Sequence, residues 1–168
     1  MSFNKDEYKE FFLELSEKGD IISSNQTFKI KLFLKRAENS LLIAKHHKDI
    51  DPNDAQGEKI YWNYWAITIS YYSMLYAAKA AILSKGYEVK THDAAQIALG
   101  YLLVPDEITK EDLEILKQSY KIFEDDYIKY FEDAKKESHI ARYQARPSYT
   151  QRRLEEIFEN SRKFIEKI

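Results

Sequence analysis

The amino-acid sequence predicts an all-α fold, an antiparallel up-and-down bundle of four main helices with one or two short ones. The chain has 168 residues but only four glycines and three prolines, which is little material for the turns of a many-stranded β protein. Apolar residues recur at steps of three and four over several long windows, as on one face of a helix. No window alternates with a period of two long enough to predict a strand.

The composition is typical of one water-soluble domain. Hydrophobic residues make up 44% and charged residues 32% of the chain, which excludes a disordered protein. Because cysteine is absent, a disulfide framework and a thiolate metal site are excluded. The first ten residues lack the apolar core of a secretory signal, so we expect a cytoplasmic protein. We predict a single domain over 1–168, with an extra helix and linker at 1–24 and a core bundle at 25–168.

The first two helices have recognisable starts and stops. Asn4 and Glu7 have the spacing of a capping box, and Gly19 ends the helix that they open. A second helix begins near 25–27 and is broken by the polar segment 49–58. Each of the two predicted helices has an apolar side: Tyr8, Phe11, Phe12 and Leu15 on the first, and Ile30, Leu34, Ala37, Leu41 and Ala44 on the second.

The third predicted helix, Ile60 to Lys85, is nearly free of charge. Residues 60–78 carry none, but polar side chains and five tyrosines interrupt them, which favours a core helix over a membrane span. This helix carries two stripes of side chains, one of large residues and one of small residues. We expect the large side chains to fill the core and the small ones to let a neighbouring helix come close. The large stripe is Trp62, Trp65, Ile69, Tyr72, Tyr76 and Leu83, and the small one is Ala66, Ser70, Ser73, Ala77 and Ala81.

Capping residues also mark the remaining helices. Thr91 caps a short helix that runs through Leu103, and Thr109 caps a long one. Ser148 and Gln151 form a second capping box, which opens the last helix. The inward residues are Leu113, Leu116, Tyr120, Phe123, Tyr127, Tyr130 and Ala134 on the long helix, and Leu154, Ile157, Ser161, Phe164 and Ile168 on the last.

Charge is unevenly distributed although the formal net charge is only −2, which gives no overall attraction to nucleic acid. Residues 104–134 have ten acidic and four basic side chains, whereas residues 135–153 have six basic side chains and one acidic one. We interpret this as pairing between neighbouring antiparallel helices. Contact with a charged partner is the alternative.

No metal or cofactor site is predicted. Asp49, Asp51 and Asn53 have the spacing of a calcium loop, but Asp54 stands where such a loop needs glycine and Ile60 where it needs a bidentate carboxylate. The four histidines form no zinc motif, since the adjacent pair at 46–47 points about 100° apart on a helix. A glycine-rich phosphate loop is absent from the sequence.

The strongest binding candidate is the segment 138–150, SHIARYQARPSYT. Arg142 and Arg146 flank Tyr143, and guanidinium groups beside an aromatic face suit the phosphates and bases of a nucleotide or single-stranded RNA. The alternative is a helix connection whose arginines neutralise the preceding acidic helix. The aromatic side chains of the third helix could also stack on bases, but on a regular stripe we interpret them as core.

Three separated patches resemble the HEPN family of prokaryotic helical domains. They are YYSMLYAAKA at 71–80 followed by LSKG at 83–86 and KTH at 90–92, then ARY at 141–143, and finally SRKFIEKI at 161–168. The patches occur in the order expected for the family. The similarity covers about 28–168 and leaves out the first helix.

The resemblance implies a bundle that dimerises and binds nucleotide or RNA beside a small nucleotidyltransferase, in a toxin–antitoxin-like system. Some relatives are metal-independent ribonucleases that use Arg-x(4–6)-His, and this motif is absent here because Arg36 has its next histidine at His46. His139 and Arg142 are the remaining weak catalytic candidates. We therefore predict a non-catalytic cytoplasmic binding module that does not enter a membrane. A ribonuclease toxin and a purely structural interaction module are the alternatives.

The predicted nucleotide- or RNA-binding residues form two groups under this hypothesis. Arg142, Tyr143 and Arg146 form the first group, on the arginine-rich segment. Lys90 and His92 form the second, at the turn after the third helix.

Overall fold

The computed structural model describes residues 3–51, 53–54, 59–135 and 147–168, and it describes side chains at 3–51, 53–54, 62–125 and 151–168. Four long helices and two short ones make up most of this part of the chain, so the predicted all-α bundle is confirmed. The elements are α1 (Lys5–Glu17), β1 (Ile21–Ser23), α2 (Phe28–Asp49), α3 (Lys59–Ser84), β2 (Tyr87–Val89), α4 (His92–Leu102), α5 (Lys110–Lys135) and α6 (Pro147–Lys167).

Helices α2 and α3 form an antiparallel pair. The rings of Phe33 and Tyr76 stack at 6.4 Å near one end of the pair. The rings of His47 and Trp62 lie 5.0 Å apart near the other end. The start of α2 therefore lies beside the end of α3, and the end of α2 beside the start of α3. The two helices run in opposite directions, as the up-and-down arrangement requires.

Helix α6 runs parallel to α3 and contacts its small-residue stripe at Ser70. Asn63 donates a hydrogen bond to Gln151 at 3.1 Å, and Ser161 donates one to the backbone oxygen of Ser70 at 2.8 Å. Helix α5 returns antiparallel to α6, since Arg153 and Asp125 form an ion pair at 3.3 Å. This pair links the basic and acidic segments that the sequence places in 135–153 and 104–134.

The described residues also contain two short strands, which the sequence did not predict. Strands β1 and β2 pair antiparallel, with Ile21 opposite Val89 and Ser23 opposite Tyr87. Three residues are too few to show an alternating pattern, so these strands leave no signal in the sequence. The pairing also ties the segment 1–24, expected to be an extra helix and a linker, to the turn that follows α3.

Three of the four predicted helix caps are present. The Asn4 side chain accepts from the Asp6 backbone N–H, and the Thr91 hydroxyl accepts from Ala94. Thr109 and Asp112 cap α5 reciprocally, because each side chain accepts a hydrogen bond from the other residue's backbone N–H.

The capping box predicted at Ser148 is wrong. Ser148 already lies inside the described part of α6, Pro147–Lys167, so it is not the residue that precedes the helix. Gln151 serves α3 instead, since its side-chain oxygen accepts from Asn63.

The two stripes of α3 have different environments. All five small residues of the predicted stripe are buried, from Ala66 to Ala81. Among the large residues only Leu83 is fully buried, and Trp65 is 61% exposed. The expectation that the large stripe fills the core is therefore wrong for most of its members.

One segment, Trp62–Ser84 of α3, is long and apolar enough to cross a membrane by composition, and 72% of its most apolar window is buried within the protein. Such burial is typical of the central helix of a helical bundle, where neighbouring helices replace lipid. It agrees with the interpretation of α3 as a core helix.

Candidate functional site

The surface side of α3 carries one regular row of side chains, which we call the outer face. Trp65 is exposed, and the other four members are partly buried. The spacing of 4, 3, 4 and 3 keeps all five on one side of a helix. They are Trp65, Ile69, Tyr72, Tyr76 and Lys79.

Rings from four helices lie next to one another across the outer face, and we call them the aromatic row. Tyr76 stacks on Phe33 of α2, and Tyr72 lies 6.4 Å from Tyr76. His92 of α4 is 6.0 Å from Tyr72 and 5.1 Å from Tyr120 of α5. The aromatic row therefore comprises Phe33, Tyr76, Tyr72, His92 and Tyr120, and each of these side chains is partly open to solvent.

Tyr71 supports the row from below. It is fully buried, and its hydroxyl lies 2.6 Å from Nδ1 of His92 while the two rings stack at 5.3 Å. Burial raises the pKa of Tyr71, so its hydroxyl stays protonated and forms a neutral hydrogen bond with Nδ1. Burial and the nearby charge of Lys79 both lower the pKa of His92. The imidazole is thus held neutral and in a fixed orientation.

Two cations lie beside the row. The Arg36 guanidinium carbon is 5.8 Å from the centre of the Tyr76 ring, in the position of a cation–π contact. Lys79 follows Tyr76 by one turn, and burial lowers the pKa of its ammonium group. Within the described part of the chain, neither Arg36 nor Lys79 makes an ion pair with a carboxylate.

Each of the other partly buried lysines of the described residues bonds to a side chain, whereas no such bond is found for Lys79. Lys29 pairs with Glu88 at 3.0 Å, Lys48 pairs with Asp49, and Lys117 bonds to a tyrosine hydroxyl. Glu88 also acts electrostatically on Lys79, but its carboxylate already accepts from Lys29 and from Ser24. Lys79 therefore remains a partly desolvated cation that an anionic ligand would stabilise.

The part of the row around His92 and Tyr120 is acidic. Asp93 and Glu124 lie close enough to oppose the lowering of the His92 pKa, and Glu124 helps burial to raise the pKa of Tyr120. An anion bound to this surface would therefore be attracted to Arg36 and Lys79 and repelled by Asp93 and Glu124.

The two members of the predicted second group, Lys90 and His92, contact different parts of the protein. His92 belongs to the aromatic row, whereas the Lys90 ammonium group lies 4.0 Å from where a Cβ would stand on Gly19, at the end of α1. The first group, Arg142, Tyr143 and Arg146, lies outside the described residues, as does His139.

Sequence reasoning missed Lys79, Tyr72, Tyr76 and Arg36 as one surface. A signal for Lys79 was present, since it is the first charged residue after the uncharged run 60–78 and continues the large stripe by one step. For Arg36 no such signal existed, because only the pairing of α2 with α3 brings it to Tyr76.

The acidic side chains at the end of α2 and in the loop that follows bond to residues close to them in the sequence. Lys45 and Lys48 bond to the Asp49 carboxylate and lower its pKa to about 2. The Asp51 side chain accepts from the Asn53 backbone N–H at 2.8 Å. Where side chains are described, no three histidine or carboxylate groups converge in the way a metal ion requires.

Comparison with known proteins gives one result. The family model for the HEPN domain matches residues 30–168, which is most of the chain and excludes α1 and β1. Neither a curated protein nor a solved structure matches the chain significantly. The extent of the family match, together with the helical bundle, shows that this chain belongs to the HEPN domain family.

Proposed function

We propose that this HEPN chain is a non-catalytic binding module for a nucleotide or RNA, acting as a homodimer with a protein partner such as a small nucleotidyltransferase in a toxin–antitoxin-like system. The observation that carries the binding role is the partly buried, unpaired Lys79 beside the open rings of the aromatic row. A desolvated cation next to stacking surfaces is the combination that phosphates and bases require together.

Each part of the surface has a defined task under this proposal. Lys79 and Arg36 contact phosphate oxygens, while Tyr72 and Tyr76 offer their faces to a base. The hydrogen bond between the Tyr71 hydroxyl and Nδ1 holds the His92 ring in place beside Tyr72. This ring forms the far wall of the site.

Support for self-association comes from the outward side of α2. Four large apolar side chains there are exposed: Phe28 at 72%, Leu32 at 44%, Leu42 at 66% and Ile43 at 48%. Their spacing puts them within about a third of the helix circumference, opposite the buried Ala37 and Ala44. Such a stripe is costly in water and suits an antiparallel pairing of two α2 helices.

Binding of a labelled single-stranded RNA, followed by fluorescence anisotropy at several salt concentrations, tests the binding role. We expect Lys79→Met and Arg36→Met each to weaken binding at least fivefold and to flatten the salt dependence, because one phosphate contact is lost. Tyr76→Leu should weaken binding about tenfold with an unchanged salt slope, since stacking carries no net charge. Lys9→Met, which removes an exposed lysine from α1, is the matched control and should bind as the wild type does.

Two further variants address the segment 138–150. Arg142→Ala combined with Arg146→Ala reports whether these arginines add phosphate contacts. If this double variant alone loses binding while Lys79→Met keeps it, the site is the arginine-rich segment and not the aromatic row. If the wild type does not bind at low salt, the structural interaction module replaces the binding role.

Incubation with RNA in EDTA separates binding from catalysis. The proposal predicts intact RNA after a long incubation. Cleavage that is abolished in His139→Ala and in Arg142→Ala would establish the ribonuclease toxin instead.

Sedimentation equilibrium tests the dimer. We expect the wild type to sediment as a dimer and Leu32→Glu or Leu42→Glu as a monomer, because a buried, unpaired carboxylate opposes association. Leu13→Glu changes an equally exposed leucine on α1 and should leave the dimer intact. Loss of the dimer in Leu13→Glu as well would rule out the α2 interface. Co-elution with a small nucleotidyltransferase, compared between Leu32→Glu and the wild type, then tests the protein partner.

A further inference from the structure

The N-terminal helix α1 lies outside the family match but is firmly seated on the bundle. The Tyr8 ring covers Gly100 of α4 so closely that a Cβ added there would overlap it. The Lys117 ammonium group of α5 bonds to the Tyr8 hydroxyl, and Lys5 donates to the backbone oxygen of Val104 at 2.8 Å. Helix α1 is thus a fixed part of this surface.

A groove of about 500 Å³ opens where α1 meets α4 and α5. Its floor is apolar, and Phe11 is left 44% exposed at its edge although Tyr8 and Phe12 on the same helix are buried. The apolar residues that line it are Phe3, Tyr8, Phe11, Ile97 and Leu113. This volume suits one or two large apolar side chains of a partner.

The rim of the groove carries more acidic than basic side chains. Glu7, Glu111 and Glu114 line it together with two lysines, of which Lys110 lies 3.7 Å from Glu111 and Lys117 bonds to the Tyr8 hydroxyl, so three negative charges face two positive ones. Helix α1 as a whole carries five acidic and two basic residues. Glu7 and Glu114 are both exposed, so they are available to cations from outside.

We propose that this groove docks a basic amphipathic helix from a partner protein. An aromatic or aliphatic side chain of that helix packs against Phe11 and Ile97, while its lysines or arginines face Glu7 and Glu114. The acidic rim selects against nucleic acid and against a second copy of the same acidic surface, since like charges meet in both cases. The proposal is independent of the nucleotide or RNA site on the outer face of α3.

Three labelled helical peptides provide the test in fluorescence anisotropy with the full chain. The first carries leucine and phenylalanine on one face and lysine elsewhere, the second replaces each lysine with glutamate, and the third scrambles the first so that no apolar face remains. We expect only the first to bind, with an affinity that falls as salt is raised. Equal binding of the glutamate or scrambled peptide, or no binding of the first, overturns the proposal.

Phe11→Glu and Leu13→Glu form a matched pair on α1, because Leu13 is 53% exposed but does not line the groove. We expect Phe11→Glu to weaken binding at least tenfold and Leu13→Glu less than twofold. Glu7→Gln combined with Glu114→Gln removes only charge from two exposed positions and should flatten the salt dependence. Thermal melting checks the fold of each variant. An equal loss in Phe11→Glu and Leu13→Glu, or an unchanged salt slope in the double variant, overturns the proposal.

Discussion

The two sides of α3 differ in side-chain size and in exposure to solvent. On the inner side, small residues let α6 approach until the Ser161 hydroxyl reaches the Ser70 backbone oxygen at 2.8 Å. On the outer side, large residues of nearly the same spacing remain partly open, and Trp65 is 61% exposed. The inner side therefore fixes the fold by close approach, whereas the outer side presents apolar and aromatic area to solvent.

This difference teaches that side-chain size is a poor guide to burial on a helix without charges. A small side chain is buried when a neighbouring backbone comes close, while a large one can lie beside a groove. The candidate functional surface of this protein is thus on the side that size alone would assign to the core.

The largest expected effect comes from enlarging the inner side. Ala77 is completely buried, and Ala77→Leu adds volume for which there is no room. We expect the free energy of unfolding to fall by about 2 to 3 kcal/mol, measured by urea denaturation. A variant as stable as the wild type would show that the inner side is not closely packed.

Removal of the Tyr71 hydroxyl should lower the free energy of unfolding by an intermediate amount. Tyr71→Phe leaves the ring in place but deletes the hydroxyl that bonds to His92, and we expect a loss of about 1 kcal/mol in urea denaturation. Tyr72→Phe is the control, because the Tyr72 ring is partly open to solvent, and it should cost less than about 0.5 kcal/mol. Equal losses in the two variants would mean that the Tyr71–His92 hydrogen bond adds nothing.

The pH dependence of stability should carry a smaller contribution from His92. Its pKa is lowered in the folded protein, so the unfolded chain binds more protons and stability falls as pH drops below about 6.5. Carboxylates with lowered pKa values, such as Asp49, add their own loss at lower pH. We therefore compare wild type with His92→Gln at about pH 7.5 and about pH 5.5, roughly one unit on either side of the ordinary histidine pKa. The urea midpoint should fall less between these two pH values in the variant, and identical slopes would contradict this.

The smallest effect on stability is expected on the outer side. Trp65→Leu should change the free energy of unfolding by less than about 0.5 kcal/mol, since most of the ring is exposed. A loss comparable to that of Ala77→Leu would remove the distinction between the two sides of α3.

Sequence periodicity predicted the helical elements well because each one carries a cap or a stop and an apolar stripe. Thr91 and Thr109 begin α4 and α5 as expected, and Leu154, Ile157, Ser161 and Phe164 are all buried on α6. The β1–β2 pairing could not be predicted, because three residues are shorter than any pattern. The cap of α6 was predicted at the wrong residue because Ser148 has the residue type of a cap but lies inside the helix.

The candidate site was only partly predictable. His92 was identified from the KTH turn, but its partner Tyr71 lies 21 positions earlier on another helix. The surface formed by Arg36, Tyr76 and Lys79 depends on how α2 packs against α3, which no local pattern encodes. Lys90 is next but one to His92 in sequence, yet its side chain lies at the end of α1.

The contact between Ser70 and Ser161 has a consequence for how the protein can evolve. Ser161 lies against the Ser70 backbone with no room for a longer side chain, and both residues are completely buried. A larger residue at position 161 would push α6 away from the α3 backbone at this point. We expect position 161 to stay small whatever residue stands at position 70, whereas position 65 on the outer side is free to change until a partner constrains it.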